Sequence, residues 1–226
     1  CQIEAAGNSP MLEEYGISYI QLDEDRILTI YSANQAFLML MNYRVKQLKS
    51  HGKFKNHPRF MIKTTAVSYT HLRAHGIKVV NVPVGFKEIA NIMKKVELQI
   101  KNNPEGEVVV DDVFGNSINL GVQPRLIFGG EESGGMIMGS EDLIESLAGR
   151  KAIAMREKSA TEAIIVASSL AAKLEEDNKT LSEYLIEIFD ENNIIAKFDV
   201  REDISYYNES EPDIEKLKQA KVEGEK

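Results

Sequence analysis

The sequence predicts an α/β fold: a mixed, partly parallel sheet flanked by helices. Three observations carry this. β-rich runs alternate with amphipathic helical runs along most of the 226 residues, the pattern of strand–helix–strand layers. Two capping boxes, Ser159-Ala-Thr-Glu162 and Thr180-Leu-Ser-Glu183, each precede an apolar-periodic run. Two further β-rich runs flank Phe114-Gly-Asn-Ser117 and read as a hairpin.

Taken in order, residues 1–15 are polar and predict no element. Gly16–Leu22 reads as a strand, Asp23-Glu24-Asp25-Arg26 as an acidic turn, and Ile27–Tyr31 as a second short strand. From Asn34 to Leu48, Phe37, Leu38, Met41, Val45 and Leu48 fall at helical spacing, with Ser32 or Asn34 as the cap. Arg59–Ala66 and Ile77–Val82 are β-rich. Phe86–Val96 is helical, with Ile89, Ile92, Met93 and Val96 on one face. Glu107–Val113 and Ile118–Val122 form the hairpin, and Leu126–Phe128 a short buried strand. The capping boxes open helices reaching about Glu176 and Asp190. Ala196–Tyr207 reads as a strand, and the charged tail from Asn208 as a linker or frayed end. One connection is short: Val67–Gly76 barely spans a parallel crossover, which needs about a dozen residues. That segment reads as a deletion or a foreign insert.

Composition excludes several classes. A formal charge of −8 argues against nucleic acid or an anionic membrane surface as the main partner. The single cysteine, Cys1, rules out an internal disulfide framework and fits a reducing, cytoplasmic compartment. The longest strongly apolar stretch, near Ala36–Met41, is far too short to span a membrane. No signal peptide is visible. The chain opens on Cys rather than Met, which suggests a fragment.

Three loops could carry chemistry. Phe128-Gly-Gly-Glu-Glu-Ser-Gly-Gly135 follows an apolar strand and surrounds two carboxylates and a hydroxyl with four glycines. Glycine permits positive φ and close approach of a ligand. Glu131, Glu132 and Ser133 supply acceptors and a hydroxyl donor suited to a polyhydroxylated ligand such as a sugar. The same run also reads as an ordinary turn closing a strand. In Asp23-Glu24-Asp25-Arg26, alternate carboxylates on extended backbone point to one side and could hold a hard dication such as Mg²⁺. It also reads as a solvated acidic turn. Val82-Pro-Val-Gly85-Phe-Lys87 places a glycine turn at a helix start, where anions are favoured and Lys87 adds charge. It also reads as a plain strand-to-helix turn. His51, His57, His71 and His75 show no ligand pattern, and Lys63-Thr64-Thr65 reads as structural.

These loops, in this order, resemble the α-D-phosphohexomutase family, which includes phosphoglucomutase and phosphomannomutase. The matching pieces are Asp23-Glu-Asp25-Arg26, Ser32-Ala-Asn-Gln35, Ile62-Lys-Thr-Thr65, Val82 to Lys87, Gly130-Glu-Glu-Ser-Gly134 and Lys179-Thr-Leu-Ser-Glu183. They span most of residues 16–207. The family has four domains. The resemblance implies a remnant of the second, metal-loop domain over residues 1–31, the third, sugar-binding α/β domain over 32–200, and a linker toward the fourth, phosphate-binding domain over 201–226.

The resemblance also implies the chemistry. In the family, a phosphoserine of the first domain donates its phosphoryl group to a hexose phosphate, by positioning and electrostatics. Carried over, Asp23 and Asp25, with Gln21 at the first position, would be Mg²⁺ ligands, and Arg26 would sit beside the transferring phosphoryl. Glu131 and Ser133 would hold sugar hydroxyls, with Gly85 and Lys87 as further substrate contacts. Glu132 points to glucose phosphates. The expected partners are the hexose phosphate and the missing domains of the same polypeptide. Gln21 departs from the family, which carries Asp there, so one charge fewer should weaken Mg²⁺. The serine loop of the first domain and the phosphate loop of the fourth are absent from the chain. The fragment alone is expected to be inactive. The alternative is a non-catalytic sugar-phosphate-binding protein on the same domain fold.

Overall fold

The computed structural model describes residues 1–64, 73, 75–131, 134–155, 160–195 and 212–224. Its centre is a four-stranded mixed sheet. Strand β4 (Arg59–Thr64) pairs in parallel with β5 (Lys78–Val82) on one side and with β8 (Arg125–Gly130) on the other. β9 (Met136–Met138) adds antiparallel to β8, giving the order β5-β4-β8-β9.

β4 is buried on both faces, as its continuous apolar run requires of a central strand. Alternation splits its side chains between two cores. Phe60 and Ile62 join Ile89, Met93 and Val96 of helix α3 (Phe86–Asn102). Met61 faces the opposite layer, where Phe37 and Met41 of α2 (Ala33–Ser50) meet Leu170 of α4 (Ala160–Glu176) and Leu185 of α5 (Leu181–Glu191). Each fully buried side chain of this size contributes about 1.5–3 kcal/mol. Phe37 and Phe128 meet edge-on at 5.0 Å and tie α2 to β8. Helices therefore cover both sides of the sheet.

The hairpin forms as expected: β6 (Glu107–Asp111) and β7 (Ser117–Val122) pair antiparallel as a separate ribbon. Val113 N–H donates to the Asn81 carbonyl, which covers the β5 edge. Two helices begin as their sequences specify. The Ser32 hydroxyl accepts from Gln35 N–H while Gln35 Oε1 accepts from Ser32 N–H, and Thr180 and Glu183 repeat the pattern.

Residues 1–15 are structured. β1 (Gln2–Ala5) and α1 (Ser9–Glu14) precede β2 (Ser18–Gln21) and β3 (Arg26–Ile30), and the strands form an antiparallel sheet in the order β1-β3-β2. Its inner face, with α1, sends Leu12, Tyr15, Ile17 and Ile27 into the core shared with α2 and α5. These elements escaped the sequence pattern because β1 has four residues and buries a glutamate, while α1 has six residues with proline in its first turn. Two-residue strands β10 (Ile144–Glu145) and β11 (Lys151–Ala152) were likewise too short to read. In the charged tail, Ile214–Gly224 is a helix, α6, rather than a frayed end. The predicted strand Ala196–Tyr207, the cap Ser159 and most of Val67–Gly76 lie outside the described residues. Among the described residues, no helix is long and apolar enough to cross a membrane.

Candidate functional site at the carboxyl edge of the sheet

Parallel strands bring their carboxyl ends to one edge. Thr64 pairs with Val82, and Lys63 with Gly130, so the loops that follow β5 and β8 emerge side by side with β4 between them. Two strand spacings separate them by about 10 Å. Ligands of open α/β sheets bind at such an edge. The pairing thus places the loop that carries Gly85 and Lys87 and the loop that carries Glu131 at the same edge of the sheet, although 43 residues and more of chain lie between them.

Glu131 is 5% exposed. Its N–H donates to the Gly135 carbonyl at 3.0 Å, and its own carbonyl accepts from Gly134 N–H at 3.0 Å. That pair of bonds makes a tight return into β9. Gly134 sits at φ +92°, a conformation that glycine adopts at no steric cost. Gly129 and Gly130 serve packing instead. A Cβ on Gly129 would come 3.1 Å from Ile89 of α3, and one on Gly130 would collide with the Phe128 ring. Glu132 and Ser133 lie outside the described residues.

On the β5 side, Gly85 caps α3 at φ +122°, and its carbonyl accepts from Glu88 N–H. Space is open where a Cβ would stand, but the φ excludes other residues without strain. Lys87, in the first turn of α3, is exposed. Lys63, read from sequence as structural, lies at the same edge. Burial, and then the charge of Arg73, hold its ammonium below the ordinary lysine range. Its place at the end of the central parallel strand was the signal that could have singled it out.

The acidic turn belongs to the other sheet, between β2 and β3. It is closed on itself. Asp23 Oδ1 accepts from the N–H groups of Asp25 (3.1 Å) and Arg26 (2.9 Å). Asp23 Oδ2 accepts from Arg26 Nε (2.8 Å) and Nη2 (2.6 Å). The Gln21 amide nitrogen donates to the Asp23 carbonyl. The hydrogen bond from Arg26 holds the Asp23 carboxyl below its ordinary range, and the same bond raises Arg26. The residues do not fit a Mg²⁺ site as they stand. Gln21 turns its donor nitrogen inward, the carboxylate of Asp23 is filled by protein donors, and Asp25 is left as the remaining expected anionic ligand. Among the described residues, no group of three or more His, Cys, Asp or Glu side chains is placed to hold a metal ion.

A cleft of about 380 Å³ lies between α3 and the hairpin, lined by Asn81, Pro83, Asn91, Lys95, Leu98 and Asp112. It borders the loop after β5 through Val82 and Pro83 but takes in none of Gly85, Lys87 and Glu131, whose loops share the carboxyl edge.

Helices on both faces of a mixed sheet define an α/β/α domain. The family model for phosphoglucomutase/phosphomannomutase, alpha/beta/alpha domain III, matches residues 32–191, well over half of the chain, and the chain belongs to this family. Comparison with curated proteins gives no match.

Proposed function

We propose that this chain is the sugar-recognising part of a phosphohexomutase, which in its whole form moves a phosphoryl group between positions of a hexose phosphate. Glucose 1-phosphate and glucose 6-phosphate are the ligands favoured by Glu132. The observation that supports the reading is the convergence of Gly85, Lys87 and Glu131 at one sheet edge, within a domain whose family is shown.

Each residue has a defined task in this reading. Glu131, withdrawn from water, accepts hydrogen bonds from two sugar hydroxyls, and charge-assisted bonds of this kind are the strong ones. Ser133 adds a hydroxyl that both donates and accepts. The first turn of α3 presents N–H groups toward an anion, with Gly85 setting its entry angle and Lys87 adding a positive charge. Together they hold the sugar and fix which oxygen faces the reacting phosphoryl group, a positioning effect. Mg²⁺ is general to the family, but no step here is routed through it. Further domains of the same polypeptide would complete the enzyme. The outer face of the N-terminal sheet supports a covering layer, because Ile3 and Ile20 stand exposed on either side of Leu28, their pairing partner in the central strand β3.

The test is calorimetric titration of the chain with glucose 1-phosphate, mannose 1-phosphate and free glucose. Saturable binding of the phosphorylated sugars, lost in Glu131→Ala with the fold intact by circular dichroism, is expected. Binding that survives Glu131→Ala unchanged would remove this edge as the site. A second reading, a sugar-phosphate binder without catalysis, is favoured by the closed acidic turn.

A further inference from the structure

We infer that the acidic turn Gln21–Arg26 is a self-neutralised ion-paired turn that does not take up a divalent cation, and that Arg26 serves it as an internal counter-ion. This stands independently of the sugar site, which lies on a different sheet.

The argument is one of donor and acceptor capacity. A carboxylate offers about four lone-pair sites. In Asp23 four hydrogen bonds fill them: two from backbone N–H groups inside the turn and two from the planar fork of Arg26. The fork is the geometry that matches a carboxylate most closely. A cation could reach Asp23 only by breaking both the fork and the backbone bonds that shape the turn. The turn is also tied at its base, where Leu22 N–H and Asp23 N–H both donate to the Arg26 carbonyl.

The neighbouring ligands cannot compensate. Gln21 commits its amide nitrogen to the Asp23 carbonyl, and its amide oxygen is at best a neutral ligand with one charge fewer than a carboxylate. Glu24 and Asp25 are exposed and adjacent in sequence. Mg²⁺ demands near-octahedral oxygens and gives up water reluctantly, so two solvated carboxylates hold it poorly. The same closure accounts for Arg26. Its Nε and Nη2 are committed to Asp23, which leaves Nη1 as the nitrogen of the fork not engaged by that carboxylate.

The experiment uses the full 226-residue chain. Mn²⁺ is titrated while the backbone amide signals of residues 21–27 are followed by NMR, and Mg²⁺ uptake is measured in parallel by calorimetry. The wild-type chain is expected to show no saturable uptake at millimolar Mg²⁺ and no broadening centred on the turn. The double variant Gln21→Asp/Arg26→Ala is expected to gain at least about tenfold in apparent affinity, since the charge count of the ligands tunes oxygen sites. All the substituted positions are exposed, and an unchanged melting temperature shows that the fold is kept. Saturable, turn-centred broadening in the wild type overturns the inference. So does a double variant as silent as the wild type, because the lock would then not be the cause.

Discussion

The hydroxyl of Ser182, in the first turn of α5, donates to Glu4 of β1 at 2.7 Å, across 178 positions of chain. Glu4 is 4% exposed and also accepts from Tyr31 at 3.1 Å, Thr29 at 3.3 Å and Asn8 at 3.4 Å. The Tyr31 and Ser182 hydroxyl oxygens stand 2.9 Å apart, so each is an alternative acceptor for the other's single proton. Burial pushes the Tyr31 phenol up to about 12, so it remains a hydroxyl throughout the working range. A carboxylate at a helix N-terminus is also favoured by the helix dipole. Close by, Gln2 Oε1 accepts from Leu181 N–H. The N-terminal sheet is therefore fastened to α5 by a polar cluster as well as by apolar packing.

That cluster makes the first prediction. Glu4→Ala strands several buried hydroxyls, at a cost of about 1–3 kcal/mol for each group left unsatisfied. Urea denaturation should show a loss in that range or above, and Ser182→Ala a smaller one. Because both residues belong to one network, the double variant should lose less than the sum of the singles, by at least about 0.5 kcal/mol. Strict additivity would mean that the network is not coupled.

A second prediction concerns the opposite end of β4. Arg59 pairs with Glu141 through both terminal nitrogens, at 2.7 and 2.8 Å, and its side chain is 3% exposed. Its Nε and second Nη2 protons go to the Phe54 and Lys53 carbonyls. Removing one partner of a buried pair leaves an uncompensated charge, so Arg59→Met should cost about 3–5 kcal/mol. The hydrogen bond from Arg59 holds the Glu141 carboxyl below its ordinary value of 4.5. A lowered folded-state value stabilises above the unfolded value and is lost as pH falls through the folded one. The wild type should therefore lose stability below about pH 4.5, and Glu141→Gln should lose less over the same interval. Parallel acid titrations followed by circular dichroism measure both.

What could be read from sequence follows the range of each interaction. The capping box at Thr180 was legible because cap and partner lie three residues apart, whereas at Ser32 the cap was read beside Asn34 and its reciprocal partner Gln35 was not. Strand β4 was legible as the β-rich run Arg59–Ala66, although its division between two cores was not. The burial of Glu4 was illegible because its partner lies on α5, far along the chain. At the site, Gly85 and Glu131 were singled out one by one. Their shared edge follows only from the parallel pairing of β5 and β8 on β4. In the acidic turn a short-range side-chain pairing was not read. Alternation pointed its carboxylates to one side, whereas the fork that Arg26 places on Asp23, three residues away, follows from the turn's backbone geometry.

A third prediction tests close packing where the chain leaves β9 beside the start of β8. A Cβ on Gly139 would stand 1.6 Å from the Leu126 carbonyl oxygen, a backbone atom that cannot swing away. Gly139→Ala should displace β9 from β8 and cost more than the 1–3 kcal/mol or so of ordinary overpacking. Gly7, which has no atom within 4 Å of its Cβ position, is the control. Gly7→Ala should leave the midpoint of urea denaturation close to that of the wild type. Equal effects at the two positions would show that the approach of Leu126 is not what demands glycine.

The last prediction separates the two halves of the candidate site. Gly85 holds φ +122° at the cap of α3 and has free space around its Cβ position. Alanine there meets no neighbour, so its effect is confined to backbone strain of about 1–3 kcal/mol. The strain is relieved by rotating the cap, which re-aims the first N–H groups of α3. If those groups and Lys87 face the phosphate while Glu131 faces the sugar, Gly85→Ala should weaken hexose phosphates more than free hexose. Glu131→Ala should weaken both alike. Lys87→Met should follow Gly85→Ala, with a further mark: its loss should shrink as salt rises, because an exposed charge is screened. Competitive titration of glucose and glucose 1-phosphate at two salt concentrations reads all three variants. Parallel losses for both ligands in Gly85→Ala would place the phosphate away from the start of α3 and leave Glu131 alone as the contact supported by geometry.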